Sequence, residues 1–145
     1  MIISQPSHLI AHFVALRQGK PELESWGHYS ALGLVRGDRI VAGVVYNNWE
    51  AQNVCAHIGA IEGRHWLTRS FLHAMFAYPF VQCGKRRITA LVAKRNKTAR
   101  KFVDNLGFVY EGSLRHYYGN DDLIVYGLLR ERCRHLPKEA LQEAA

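Results

Sequence analysis

The sequence predicts a mixed α/β (α+β) protein in which helices pack around one central sheet. Two hairpin patterns, one long helical pattern and one short capped helix that leads straight into a strand support this prediction. The predicted order is helix, three strands, long helix, strand, helix and two strands. At 145 residues, of which 48% are hydrophobic, the chain is expected to form a single domain over residues 1–145.

The first half of the chain is predicted to form one helix and three strands. Apolar residues recur at helical spacing over residues 6–16, and a turn-rich connection follows. The apolar, β-branched runs over 31–36 and 39–46 flank Gly37-Asp38, a two-residue turn that favours a hairpin. Residues 54–61 are the third strand candidate.

The second half begins with the longest helical pattern, over residues 65–82. Pro79 removes a backbone donor near its end, so we expect a bend or an irregular last turn there. Residues 88–93 are almost wholly apolar, which is typical of a strand covered on both faces. Strands over 108–118 and 123–130 are then predicted to form a second hairpin.

The short helix over residues 97–106 carries signals at both ends. The Asn96 side chain can accept a hydrogen bond from the first turn, as N-cap residues do. Gly107 supplies the left-handed residue that commonly ends a helix. One apolar face runs between them, formed by Ala99, Phe102, Val103 and Leu106.

Charge and cysteine content narrow the range of partners. The formal net charge of +7 and the pI near 9.6 favour an anionic partner, which could be nucleic acid, an acidic protein surface or a phosphate-rich cofactor. Cys55, Cys83 and Cys133 fit neither a disulfide framework nor a zinc spacing, so we expect reduced, structural cysteines and no metal site. Without a signal-peptide pattern or a membrane-spanning run, the expected compartment is the cytoplasm.

Residues 96–112 provide the most informative motif. They read Asn-Lys-Thr-Ala-Arg-Lys-Phe-Val-Asp-Asn-Leu-Gly-Phe-Val-Tyr-Glu-Gly. This segment resembles the last conserved block of the GCN5-related N-acetyltransferase (GNAT) superfamily, and most closely the branch of the ribosomal-protein N-terminal acetyltransferases. The predicted element order agrees with that family over nearly the whole chain.

The resemblance implies both a fold and an activity. The fold would be the acyl-CoA N-acyltransferase fold, with a mixed, mostly antiparallel central sheet flanked by helices. The activity would be transfer of an acetyl group from acetyl-CoA to an amine of a peptide, protein or small molecule, by direct attack in a ternary complex.

The resemblance also implies a cofactor site at the strand before the longest helix and at the start of that helix. The family's loop pattern is Gln or Arg, two residues, Gly, one residue, then Gly or Ala. Here Arg64 aligns with the first position of the pattern. The two positions that usually hold Gly or Ala are then Leu67 and Arg69 or, if the alignment is shifted by one residue, Trp66 and Thr68. Backbone amides at a helix start can bind a pyrophosphate whatever the side chains. The expected cofactor-binding residues are Gly59, Ala60, Gly63, Arg64, His65, Trp66, Leu67, Thr68, Arg69, Asn96, Thr98 and Arg100.

Acetyl transfer needs a neutral amine, a stabilised oxyanion and a protonated leaving thiol. The resemblance implies that a backbone amide near Ile58 or Gly59 serves the oxyanion. Many family members place a proton-donating tyrosine seven residues after the asparagine, but that position is Val103 here. Water or one of three other tyrosines could substitute, and the sequence does not choose among Tyr110, Tyr117 and Tyr118.

His57 is the first candidate for the catalytic base, because it lies on the strand near the expected acetyl group and titrates in a useful range. The alternative interpretation is a half-buried strand histidine with a satisfied hydrogen bond. Glu62 is the second candidate, although a carboxylate there would repel the pyrophosphate. Glu50 could border the acceptor site, and Glu111 is expected to be structural or to face the acceptor.

Two other classes of function compete with an enzyme. One is a non-catalytic member of the fold that binds acyl-CoA or a protein partner, which the missing loop glycines and the missing tyrosine favour. The other, ranked third, is a basic nucleic-acid-binding domain, for which the charge is the sole support. The sequence leaves open the acceptor, the acyl-chain preference and the oligomeric state, with a homodimer as one alternative.

Overall fold

The computed structural model describes residues 1–19, 26–63 and 66–143, and strands alternate with helices throughout. The first elements are β1 (Ile2–Ile3), α1 (Ser7–Arg17), β2 (Ser30–Arg36), β3 (Arg39–Asn47) and β4 (Asn53–Ala60). They are followed by α2 (Arg69–Ala77), β5 (Arg87–Ala93), α3 (Lys97–Leu106), β6 (Val109–Leu114), β7 (Leu123–Leu129) and α4 (Lys138–Glu143).

Within the described residues the strands form one seven-stranded sheet in the order β1-β2-β3-β4-β5-β7-β6. Neighbouring strands are antiparallel except for β4 and β5, which are parallel. The sheet is therefore mixed and mostly antiparallel, and this prediction is confirmed. No helix in the described part of the chain has both the length and the apolar character needed to cross a bilayer.

A row of glycines brings α1 against one face of the sheet. Gly33, Gly43 and Gly59 are direct partners across β2, β3 and β4. A Cβ on Gly33 would lie 3.1 Å from Ile10, and one on Gly43 would lie 3.0 Å from both Ile10 and Val14. A Cβ on Gly59 would lie 3.0 Å from the Cα of Val14 itself. The helix can occupy this position only because these three strand residues have no side chain.

The larger core lies on the opposite face of the sheet, under α2 and α3. The Tyr46 hydroxyl donates a 2.6 Å hydrogen bond to the Met75 carbonyl and ties β3 to α2. Other fully buried members of this core include Phe71, Phe76, Phe80, Ile88, Ile124, Tyr126 and Leu128. Different helices cover the two faces of the sheet. Helix α1 covers β2 to β4 on one face, and α2 and α3 cover the central strands on the other.

The longest predicted helix is shorter than expected at its start. It begins at Arg69, because Thr68 is extended and its Oγ1 accepts a 3.1 Å hydrogen bond from the amide of Phe71. The prediction for Pro79 is confirmed, since the chain passes into a π-helical turn over Tyr78–Gln82. This wider turn accommodates the missing proline donor.

The apolar strand β5 is covered less completely than predicted. Ile88, Ala90 and Val92 are buried on the α2 and α3 side, whereas the alternate residues are only partly buried. Helix α1 packs mainly on β2, β3 and β4. The second face of β5 therefore lies beside an open part of the sheet.

The second hairpin turns earlier than predicted, because β6 ends at Leu114 rather than at residue 118. His116 adopts a left-handed conformation with φ 58°, and its amide donates a 3.0 Å hydrogen bond to the Asp122 carboxylate. These features replace strand pairing with a wide turn. The short strand β1 was not predicted, since two residues give no periodic pattern.

We predict that Gly59→Ala destabilises the protein by about 1–3 kcal/mol, because the new methyl group meets backbone atoms of α1 that cannot rotate away. The measurement is the free energy of unfolding from urea titration followed by circular dichroism. Gly112→Ala is the matched control, since a Cβ there meets no atom within 4 Å. Equal stability of the two variants would contradict the proposed role of the glycine row.

Candidate functional site

The central feature of the site is a gap within the sheet. The parallel strands β4 and β5 pair only as far as Cys55 and Thr89. Beyond that point β4 continues along β3 to Ala60, and β5 continues along β7 to Ala93. The two strands therefore part, and among the described residues no other strand pairs with the edges that they present to the space between them.

Side chains from the end of α1 reach one of these edges. Arg17 Nε donates a 2.7 Å hydrogen bond to the Ala60 carbonyl, and Gln18 Nε2 donates a 3.2 Å bond to the Ile58 carbonyl. Because the N–H and C=O of one residue point the same way in an antiparallel strand, the peptide groups of Ile58 and Ala60 face the gap. Gly59 lies between them and points toward β3. Of the two amides considered for the oxyanion, that of Ile58 is the one directed into the gap.

A cleft of about 870 Å³ continues from the gap between the start of α2 and the length of α3. Arg64 and His65 lie outside the described residues. Seven of the predicted cofactor residues line the cleft together: Gly59, Ala60, Gly63, Trp66, Leu67, Asn96 and Thr98.

Three predicted cofactor residues are not among those that line the cleft. Thr68 caps α2 with its hydroxyl. Arg69 lines a neighbouring cavity. Arg100 donates from Nε to the Tyr126 hydroxyl at 3.2 Å, while the next residue, Lys101, lines the cleft in its place. The helical period explains this exchange, because successive residues point about 100° apart.

Trp66 forms part of the cleft wall. Its indole is buried, packs against Phe71 and Phe102 with ring centroids 6.3 and 5.3 Å away, and donates a 2.9 Å hydrogen bond to the Gly63 carbonyl. A large side chain is therefore packed just before the start of α2. Gly63, whose carbonyl accepts the indole hydrogen bond, has a left-handed conformation with φ 92°.

Asn96 has the predicted structural role. Its Oδ1 accepts a 3.1 Å hydrogen bond from the Ala99 amide at the start of α3, and Gly107 ends the helix with φ 104°. The cap and the helix bounds are therefore confirmed. The same residue lines the cleft, so its amide group borders the space in which a ligand would lie.

His57 lies on the α1 face of β4, outside the residues that line the cleft. The Asn47 amide donates from Nδ2 to the Trp26 carbonyl at 3.1 Å, which turns its Oδ1 toward His57. His57 Nε2 is 2.8 Å from this oxygen and therefore acts as the donor. In the neutral ring Nδ1 is then the basic nitrogen. The Trp26 ring packs edge-on with its centroid 5.0 Å from that of His57.

Cys55 shares this face of β4 but has no sign of a catalytic thiol. Burial raises the pKa of the Cys55 thiol, so the protonated, weakly nucleophilic form dominates at neutral pH. His57 is hydrogen-bonded to Asn47. Among the described residues the three cysteines are free, and no cluster of His, Cys, Asp or Glu could hold a metal ion.

The structure does not bring a tyrosine into the cleft lining. Val103 is buried in the core under α3. The Tyr110 hydroxyl is 2.8 Å from Ser113 on the exposed edge strand β6, and Tyr117 is 58% exposed in the wide turn. Tyr118 belongs to the same turn. The source of the proton for a leaving thiol is therefore not one of the cleft-lining side chains of the described residues.

The three candidate acidic residues lie in different parts of the structure. Glu62 lines the cleft and is exposed. Glu111 is paired with Arg87, with Oε1 2.9 Å from Nη2, and this guanidinium takes both carboxylate oxygens. The Glu50 carbonyl accepts a hydrogen bond from Lys85 at 2.6 Å, at the far end of β4 from the cleft. Glu111 thus has the structural role that the sequence suggested.

Among the cleft-lining residues that sequence reasoning missed are four with polar side chains from distant segments: Arg17, Gln18, Arg134 and His135. They come from the end of α1 and from the segment after β7, which no local pattern relates to β4 or α3. The glycine row was the available signal, because glycine inside a strand often marks close approach of another backbone.

Comparison with known proteins identifies the fold. No family model matches the sequence, and no curated protein matches it. Solved structures do match. Spermidine N-acetyltransferase from Vibrio cholerae, in complex with CoA and spermine, superposes with a TM-score of 0.72 at 15% identity over 91% of this chain and 96% of that chain.

Two further structures have the same architecture. A protein from Desulfovibrio desulfuricans assigned to the GNAT family of acetyltransferases gives a TM-score of 0.68 at 23% identity, covering 89% of this chain and 98% of that one. Ribosomal-protein-S5-alanine acetyltransferase from Vibrio fischeri gives 0.67 at 19% identity, covering 94% of each. The chain has the GNAT fold, and the resemblance seen in the sequence is confirmed at the level of the fold.

We predict that Asn96→Ala lowers the free energy of unfolding by about 0.5–2 kcal/mol, because the first turn of α3 loses its cap. Asn96→Asp keeps a side-chain oxygen in the same place and should retain most of that stability. Urea titration of the three proteins measures the difference. Identical stability of the alanine and wild-type proteins would show that the cap has no energetic role.

Proposed function

We propose that the protein, acting as one domain over residues 1–145, is an N-acetyltransferase that moves an acetyl group from acetyl-CoA to an amine. The observation that carries the proposal is the parting of β4 and β5 after Cys55 and Thr89, which opens the sheet into a cleft bounded by α2 and α3. The structural similarity to enzymes that acetylate amines supports this choice.

The cleft suits the chemistry of acetyl-CoA. The pantetheine arm is a narrow chain with two amide groups, and a strand edge with unpaired peptide groups can bind such a chain as it would bind another strand. The peptide groups of Ile58 and Ala60 face the gap and can offer their N–H groups, since their carbonyls accept hydrogen bonds from Gln18 and Arg17. Leu91 and Phe102 supply apolar walls. Bound there, acetyl-CoA would supply a thioester that an amine can attack. The Ile58 amide points toward the place where negative charge would develop on the carbonyl oxygen.

The acceptor amine is assigned to the opposite face of the sheet, beside α1. His57 lies on this face two residues beyond the point where the strands part. We assign it the role of base, with Nδ1 accepting the proton that the amine must lose. Asn47 is a positioning residue, because its oxygen holds the Nε2–H tautomer. The acceptor class remains an amine of a small molecule or a peptide, with a peptide amine favoured by the resemblance to the ribosomal-protein branch.

The first prediction is saturable binding of acetyl-CoA, measured by titration calorimetry. Turnover is then followed as thiol release with a panel that contains spermidine, a primary alkylamine and short peptides with free N-termini. Thiol release with any of them supports the enzyme. Binding without thiol release across the panel would indicate a non-catalytic member of the fold. Val103 agrees with that outcome, because it stands where many family members have the proton-donating tyrosine. Absence of binding at millimolar ligand would contradict the proposal.

The second prediction concerns the base. His57→Gln should lower kcat/KM by about 10²–10⁴-fold and remove one ionisation, that of the base, from the pH profile. His12→Gln, which alters an exposed histidine of α1, is the matched control. A structural role for His57 would instead lower the unfolding midpoint and leave the shape of the pH profile unchanged.

A further inference from the structure

Strand β6 forms an outer edge of the sheet, and in the described part of the chain it pairs with β7 alone. Large apolar side chains are exposed around it. Of the nine large hydrophobic side chains that are exposed among the described residues, five lie in β6 or beside it: Val109, Tyr110, Leu114, Tyr117 and Leu129. Unpaired backbone groups flanked by apolar side chains form a surface on which another strand can pair.

Two side chains of β6 lie on the face of the sheet that carries the larger core. Tyr110 pairs with Tyr126 and Ser113 pairs with Ile124, and both partners belong to that core. Directly opposed residues of antiparallel strands share a face, so Tyr110 and Ser113 lie on the core face as well. The Tyr110 hydroxyl is 2.8 Å from Ser113 Oγ, which agrees with this placement.

The other four residues of β6 lie on the opposite face. Val109, Gly112 and Leu114 pair with residues of β7 that alternate with those core positions. A register shift just before Gly112 inserts Glu111 as an extra residue, and its carboxylate fills the space that a Cβ on Gly127 would need. Along β6 the faces therefore read opposite, core, opposite, opposite, core, opposite.

This order is the same when the strand is read from either end. If two copies of β6 pair antiparallel about a two-fold axis at the centre of the strand, every residue lies opposite one from its own face. The opposed pairs are Val109 with Leu114, Tyr110 with Ser113 and Glu111 with Gly112. A shift of one or two residues in either direction would set residues of different faces against each other.

The opposed pairs are also compatible in chemistry. Val109 and Leu114 of the second copy form an apolar pair, which the two-fold axis repeats. Glu111 is the one charged side chain of β6, and Arg87 neutralises it with a contact of 2.9 Å. It lies opposite Gly112, where an added Cβ meets no atom within 4 Å. The chain has a formal net charge of +7, so two copies repel each other in general, but this edge presents a neutral ion pair.

We propose that the chain forms a homodimer in which two β6 strands pair antiparallel in this register. The sheet of one copy then continues into the sheet of the other, and the unpaired edge is removed. The interface is isologous, as closed two-fold dimers require. With six residues of β6 from each copy the interface is small, so the dimer is expected to dissociate in the micromolar range.

Sedimentation velocity at protein concentrations across the micromolar range measures the equilibrium between monomer and dimer. Val109→Lys places a charge in the apolar pair and should raise the dissociation constant by about 10-fold or more. Leu9→Lys is the matched control, because Leu9 is a similarly exposed apolar residue on α1. It should leave the dissociation constant unchanged.

A pair of introduced cysteines tests the register. Tyr110→Cys combined with Ser113→Cys places two thiols on one face, about 10 Å apart along the strand, which is too far for a disulfide within one chain. In the proposed register each thiol lies opposite the other position of the second copy, so oxidation should give a covalent dimer. Tyr110→Cys combined with Leu114→Cys is the control, because these thiols lie on different faces and should not be crosslinked.

A protein that stays monomeric at every concentration would overturn the proposal. A dimer that Val109→Lys leaves intact, or that Leu9→Lys weakens equally, would overturn it as well. Crosslinking of the control pair in place of the tested pair would show that the register is wrong. Circular dichroism establishes that each variant is folded, and the cysteine pair keeps Val109, so a folding defect in the lysine variant does not decide the outcome.

Discussion

The close contact between α1 and the sheet is the constraint on which the rest of the structure depends. Gly33, Gly43 and Gly59 lie side by side on adjacent strands, and together they let the backbone of α1 approach the sheet. A helix normally rests on the side chains of its partner, and these keep the two backbones apart. Here a Cβ on Gly59 would lie 3.0 Å from the Cα of Val14, one turn before α1 ends at Arg17.

The end of α1 in turn supplies hydrogen bonds to the edge of β4 that borders the gap. Because α1 lies so close to β4, Arg17 and Gln18 can reach past the strand to the carbonyls of Ala60 and Ile58. Those carbonyls would otherwise be unpaired where β5 has parted. The side chains stabilise an open edge without closing the gap with a strand. One helix therefore both completes the smaller core and satisfies the exposed backbone of the candidate site.

The sequence predicted what local chemistry decides. Helix α3 was found with both bounds, because Asn96 and Gly107 determine its ends within a few residues of chain, and the hairpin at Gly37 was found for the same reason. Features that depend on distant packing were missed. Helix α2 begins at Arg69, later than predicted, because Thr68 caps it. One face of β5 is open because α1 packs mainly on β2, β3 and β4. Arg134 lines the cleft and contacts the end of α3, and only the folded chain brings these segments together.

The loop before α2 shows how one substitution of residue type reorganises a binding site. In a glycine-rich loop the backbone can approach a phosphate closely, and the amides supply the affinity. Trp66 replaces that freedom with packing, since its ring is fixed by Phe71 and Phe102 and its N–H is bonded to Gly63. An anion bound beside Trp66 would depend more on charged side chains, and Arg69 and Arg134 line the neighbouring cavity.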